Sequence, residues 1–405
     1  PKILMERVAR QIELQLVDNP SDSPFFNVFE TIPANIEDRS EIRKKAIQVI
    51  SEDVIPAYYE FRDFFVNEYL PASRTTIGVS DLPNGKAWYE NLARYHTSTE
   101  LMPEEIHQIG LSEVKRIRSE MNKIIKKVEW EGTFDEFLNF LRTDPQFYFE
   151  TGEELLQAYL ATSKELDPKI VPLFKVLPRM PYGIRPIPIE SAPDTTTAYY
   201  MRPSADGSRA GYYYVNLYKP EVRPKYEIEV LSVHEAVPGH HLQIALAMEI
   251  ENIPNFRKYS GYTAYVEGWG LYRESLGYDI GLYQDPYSKF GALTYDMWRA
   301  VRLVVDTGMH YKGWSRQQAI DFFKDNAAKT EQDIVNEIDR YLIMPGQALA
   351  YKIGQLKLLE LKQRAKNQLE DEFDIKEFHH TVLSQGALPL AILEERMDEY
   401  LLEVK

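Results

Sequence analysis

The stretch Ser232 to Gln243, SVHEAVPGHHLQ, sets three histidines and a glutamate within eight positions. A glutamate directly after a histidine opens the H-E-x-x-H pattern, in which two histidines one helical turn apart bind zinc and the glutamate acts as general base. Here Pro238 stands where the second histidine belongs. On a regular helix His240 points away from His234, and His241 returns to the same face only ~10 Å further along the axis. Neither can join His234 unless the helix is interrupted. The sequence supplies the interruption, because Pro238 has no N–H and clashes with the carbonyl of residue 234, while Gly239 can adopt backbone conformations closed to other residues. A break there would swing His240, or as an alternative His241, back beside His234. His240 is preferred.

A third ligand is then needed, and Glu267 in AYVEGWGLYRE is the best placed. It lies on a predicted helix beside Gly268 and Gly270, whose missing side chains would permit close approach to the histidine helix; Glu274, on the same face, is the alternative. Glu235, next to His234, takes the place of the general base.

The rest of the chain bounds this reading. It has 405 residues, enough to bury a substantial core. There is no cysteine, which excludes disulfides, a cysteine nucleophile and thiolate metal sites, so a metal must be held by His, Asp and Glu. The net charge of -15 argues against nucleic acid or an anionic membrane as main partner and favours a small or peptide-like one. No apolar run approaches the ~20 residues of a spanning helix. The start, PKILMERVARQIELQL, lacks a signal-peptide h-region and begins with Pro, which reads as an excised or mature form. Neither a G-x-S-x-G elbow nor a phosphate-binding G-x-x-x-x-G-K-[ST] loop occurs.

Apolar residues at three- and four-residue spacing predict helices over 1–18, 40–70, 103–129, 133–142, 150–165, 226–252, 262–277, 286–311, 315–327, 331–364, 374–384 and 389–403. Thr133, Ser315 and Pro103 mark helix starts. The segment 166–225 is irregular and proline-rich, with β-formers at Tyr212 to Val215 that predict a small hairpin or sheet before the histidine helix. The fold class is therefore mainly α, and without repeats or a low-complexity linker the chain reads as one helical catalytic unit.

These motifs, together with GSRAGYYYVN, RLVVDTGMH, GWSRQQA, EIDRYLIMPGQALAYKIG and FHHTVLSQGALPL, resemble the bacterial family DUF885, which is distantly similar to gluzincin peptidases of the angiotensin-converting-enzyme and thimet-oligopeptidase kind. The resemblance runs over nearly the whole chain. It implies a helical fold with a deep cleft lined by the 166–225 segment, and a zinc-dependent, carboxypeptidase-like activity on small peptides. It also implies that the chain is the C-terminal larger part of a longer protein, in a family with many secretory or lipoprotein signals. His234 and His240 match the family's H-E-x-x-x-G-H-H histidines, Glu235 its base and Glu267 the glutamate of its E-G-W motif. The two-residue expansion relative to H-E-x-x-H is a departure from the gluzincins proper.

Gluzincins stabilise the oxyanion with Tyr or His from a downstream helix, and here Tyr341, Gln347 and Tyr351 are available, with Tyr351 preferred. Arg209, Arg340 and Lys352 are candidates to grip a substrate carboxylate. His310, with Asp306, is a candidate for substrate binding, and the strand Tyr212–Val215 for pairing with a substrate backbone. His96, His107, His379 and His380 lack a partner pattern and read as structural. Two other readings use the same residues: a zinc amidohydrolase of a non-peptide amide, and a non-catalytic peptide-binding protein with a residual metal site.

Overall fold

The computed structural model describes residues 1–189 and 191–404. It is mainly α-helical, as the apolar spacing predicts, and it divides into two compact units, Pro1–Asp81 and Leu82–Lys405. No composition shift marks the division in the sequence.

In the first unit the predicted helix 40–70 forms in pieces. Arg39–Val49, Ile55–Phe64 and Leu70–Ala72 are joined by wider π turns at Ile50–Val54 and Phe65–Tyr69. Pro56 and Pro71 stand just beyond these turns, and a residue without an N–H cannot close the ordinary i→i−4 bond. Phe26, Ala46 and Ile50 form a small core there.

The second unit is built on close helix crossings. Helices Pro103–Lys127 and Pro286–His310 meet at Gly110, where a Cβ would stand 2.7 Å from Leu303 Cβ. Thr263–Asp279 packs on Leu349–Leu369 at a pair of glycines, since a Cβ on Gly268 would lie 2.5 Å from Gly354 Cα. Pro286–His310 is buried along almost its whole second half, charged residues included. Capping boxes at Thr133 and Ser315 start the helices that the sequence predicts there, each reciprocated by a side chain three residues on.

A three-stranded sheet precedes the histidine segment: β1 (Tyr182–Pro186), β2 (Ala198–Met201) and β3 (Gly211–Val215), in the order β1-β3-β2. β3 runs parallel to β1 and antiparallel to β2. Both its edges are therefore taken, so the expectation that Tyr212–Val215 pairs with a substrate backbone does not hold. Two further differences have local causes. Helix Gly85–Thr97 buries only Tyr89, Ala93 and Thr97 beyond its first residue and exposes Trp88 and Tyr95, which blurs its periodicity. The single helix expected over 331–364 is two, Glu331–Ile343 and Leu349–Leu369, because Gly346 turns the chain at a φ of +84°. Among the described residues no helix is long and apolar enough to cross a membrane.

Candidate metal centre

The histidine helix breaks where the sequence predicts. Ile228–Glu235 ends at Ala236, and a new helix, His240–Glu249, begins four residues later. Gly239 has an ordinary φ of −66°. Its requirement is space and not a left-handed backbone, which corrects the sequence argument: a Cβ there would collide with the carbonyl oxygens of His234 and Val233.

Carbonyls at the break are held by one neighbouring helix, Thr263–Asp279. Trp269 Nε1 donates to Pro238 O at 3.2 Å, and Arg273 Nη1 donates to Gly239 O at 2.6 Å. Arg273 is fully buried, lies 4.4 Å over the Trp269 ring, and gives Nε to Trp269 O at 3.0 Å. It has no carboxylate partner among the described ion pairs. Gly239 O also accepts from Gln243 N at 3.2 Å, so the buried guanidinium is its second donor.

The same helix carries Glu267. Its Oε2 lies 3.5 Å from His240 Nε2 and 3.9 Å from His234 Nε2, and the ligand atoms of the three residues fall within 4.8 Å of one another. Ligands ~2.0–2.1 Å from a tetrahedral zinc ion stand ~3.3 Å apart, so the donor set and its spacing fit such an ion. The two imidazoles are nearly perpendicular, at 87° with centroids 4.8 Å apart. His234 is oriented from behind, its Nδ1 lying 2.7 Å from Glu274 Oε1, which in turn lies 3.5 Å from Arg299 Nη2. With Nδ1 bound to a carboxylate, Nε2 is the free lone pair, the usual arrangement behind a metal-bound histidine. Glu274, the alternative ligand in the sequence, thus stands behind His234. His240 Nδ1 is buried with no such partner among the described residues.

Gly270 faces the His234 ring, as expected, whereas Gly268 faces Gly354 instead of the histidine helix. His241 turns the other way and fastens the sheet: Nδ1 lies 2.9 Å from Tyr200 Oη, and Nε2 lies 3.0 Å from Met180 O.

Burial sets the protonation states. It drives His234 well down, leaving a neutral imidazole suited to metal ligation. Burial also pulls at His240, but hydrogen bonding and the charge of Glu267 raise it overall. Glu267 is held down to about 2, against its own burial, by His240, His234 and Arg302. Burial pushes the Glu235 carboxyl up to about 7, and no described residue hydrogen-bonds to it.

The other expected site residues separate. Tyr351 lies on Leu349–Leu369, accepts from Gln347 Nε2 at 3.4 Å, and has its phenol raised by burial and by the charge of Glu267. Tyr341 is saturated by Arg302, Trp298 and Glu337. Lys352 does not reach the centre: it is 1% exposed and held by Glu113 at 2.8 Å and Asp296 at 2.6 Å. Arg340 is committed to Glu337 and Gln347, and Arg209 sits exposed on the loop before β3. His310 is buried against Tyr89 and lies 3.1 Å from Tyr341 O, and Asp306 accepts from Tyr89 and from Gly346 N; both are packing partners within the helices. His107 and His379 are structural, bound to Thr307 and to Leu173 O and Tyr272. Sequence reasoning missed Arg273, Arg299 and Arg302. Their signal was charge on helices otherwise apolar enough to be buried.

No curated protein matches the chain. Among solved structures, a protein of Colwellia psychrerythraea designated a lipoprotein is 36% identical, with a TM-score of 0.94 over 99% of this chain and 70% of that one. One of Shewanella oneidensis, also designated a lipoprotein and of unknown function, shares the fold at 18% identity, with a TM-score of 0.72 over 97% of this chain and 72% of that one. The model of the bacterial proteins of unknown function DUF885 matches residues 1–397, and the chain belongs to that family.

Proposed function

We propose that the protein is a zinc-dependent peptidase of the bacterial cell envelope that hydrolyses amide bonds of small peptides. The observation that carries this reading is the convergence of His234 Nε2, His240 Nε2 and Glu267 Oε2 beside the unpartnered carboxylate of Glu235. When bound there, zinc would polarise the scissile carbonyl and acidify a water towards a pKa of ~7.

The chain's own groups supply the rest. Glu235, raised to about 7 by burial, can take a proton from water on a carboxylate oxygen and hold it until the leaving nitrogen accepts it. Glu274 keeps His234 in the tautomer whose Nε2 faces inward. Tyr351 retains its phenolic O–H to donate to the developing oxyanion. The envelope assignment follows the designation of the Colwellia psychrerythraea relative as a lipoprotein.

Zinc content by mass spectrometry, with hydrolysis of a small-peptide library, tests the reading on the wild type and on Glu235→Gln. About one zinc per chain in both proteins, with turnover only in the wild type, is expected. Zinc bound equally well by His234→Ala or His240→Ala would overturn it.

A further inference from the structure

The cations that the sequence offers for a substrate anion are all engaged or remote, whereas Arg302 is only partly engaged and keeps one N–H without an acceptor among the described residues. It lies on Pro286–His310 and is 6% exposed. Nε donates to Tyr341 Oη at 2.7 Å and Nη2 to Glu337 Oε2 at 3.0 Å, while Nη1 is buried with no acceptor among the described residues. A buried guanidinium N–H without an acceptor is costly; others occur in the chain, at Arg273 Nη2 and Arg299 Nε for example, and that of Arg302 is set apart by its place beside the Tyr351 ring.

The charge count around it is also uneven. Arg302 and Arg340 both donate to Glu337 Oε2, each at 3.0 Å, so two guanidinium charges share one carboxylate. Tyr341, which accepts from Arg302 and donates to Glu337, stays neutral because burial raises its phenol. Within this hydrogen-bonded group the single carboxylate is shared, and the next negative charge that Arg302 acts on, Glu267, makes no hydrogen bond to it.

Its position joins it to the centre. The guanidinium lies 4.4 Å from the centroid of the ring of Tyr351, whose helix, Leu349–Leu369, meets the Glu267 helix at Gly354 and Gly268. The influence of Arg302 on Glu267 agrees with that placement.

We propose that Nη1 of Arg302 receives a carboxylate of the substrate, beside the Tyr351 ring. The term substrate rests on the peptidase reading; the anion site itself does not. A chain terminus and an acidic side chain present the same chemistry, and an Arg–carboxylate contact is charge-assisted and directional.

The test is calorimetric binding to the zinc-loaded full chain. The ligands are N-acetyl-alanyl-phenylalanine as the free acid, the same compound as the amide, and N-acetyl-aspartyl-phenylalanine amide. One of the two carboxylates should bind at least ~10-fold more tightly than the uncharged amide, and which one does identifies the source. In Arg302→Met, with zinc content unchanged, the ratio should fall to about one. Arg302→Lys keeps the contact to Glu337 but not the fork, and should reduce the ratio without abolishing it; this variant decides the matter if Arg302→Met does not fold. Equal binding of all three compounds, binding of none, or a ratio undiminished in both variants would overturn the proposal; in the last case the preference belongs to the zinc ion. Carboxylate preference without hydrolysis of any peptide would remove the peptidase reading and leave Arg302 its role. Hydrolysis without carboxylate preference would do the reverse.

Discussion

Replacing Gly270 by alanine should loosen metal binding in a protein that still folds. A Cβ at this position would stand 2.7 Å from Cε1, 3.0 Å from Nε2 and 3.3 Å from Nδ1 of His234. An ordinary carbon–carbon contact is ~3.5 Å or more, so the ring or the helix must yield by about 0.8 Å. The ring has little freedom, since it is buried and tied to Glu274 at 2.7 Å. Metal–ligand distances tolerate only ~0.2 Å, so a shift of this size removes one good ligand position. The expected loss in zinc affinity is ~10–100-fold, the size usual when the partner behind a ligand is removed. Stability is pulled both ways: alanine favours a helix interior over glycine by ~1 kcal/mol, and overpacking costs ~1–3 kcal/mol. Competition for zinc with a chromophoric chelator measures the first quantity, and thermal unfolding in chelator measures the second. A folded Gly270→Ala protein that binds zinc within about threefold of the wild type would refute the reasoning, because the His234 ring would then not be a ligand held in a fixed place.

Tyr351→Phe should lower kcat ~100-fold with KM little changed, since one oxyanion donor is lost; a fall of less than about threefold in steady-state turnover would remove Tyr351 from that role. Lys352→Met should cost ~1.5–3 kcal/mol in denaturant unfolding, because the half-buried Glu113 and Asp296 lose one of their two cations and keep only Arg116, while zinc stoichiometry stays at the wild-type value. Glu337 is pushed up by burial but held at about 2 by Arg302 and Arg340, against a reference of 4.5. Between those values the unfolded chain binds the extra proton, so the stability from this carboxylate is present above pH ~4.5 and is lost as pH falls towards 2, to the extent of about 3 kcal/mol. Glu337→Gln should therefore show a shallower acid limb over that interval in urea midpoints measured against pH.

The centre was largely legible because its parts break local rules in ways a sequence displays. A proline and a glycine inside a histidine-rich helical run declare an interruption, and a glutamate followed by Gly268 and Gly270 on the next strongly helical segment declares a close approach, which Gly270 makes. The candidate anion-binding residues were not legible in the same way. Arg340 and Lys352 drew attention by lying near Tyr351 in sequence, yet both are neutralised by acids from other turns or other helices, Glu337 for one and Glu113 and Asp296 for the other. Arg302 lies some fifty residues from Tyr351 and reaches it only through tertiary packing. Helix periodicity placed most elements, and it failed where few buried positions define a face, as in Gly85–Thr97, or where a turn lies within an unbroken apolar pattern, as at Gly346.

Thr263–Asp279 carries a candidate ligand, the two side chains that hold the broken helix ends, the glycine that admits the His234 ring and the carboxylate behind it. Cooperativity follows from this concentration. Undocking that one helix would dismantle the site as a whole, since no two of these contacts can be released separately along a rigid rod. Amides around residues 234–243 and 263–279, distant in sequence, would then exchange with solvent in a single opening event. An ion that binds only the docked state would slow both segments by the same factor, by ~2.7 kcal/mol at a hundredfold excess over its Kd. The metal would thereby act as a latch on one tertiary contact, and the time it remains bound would be set by how often that helix lets go.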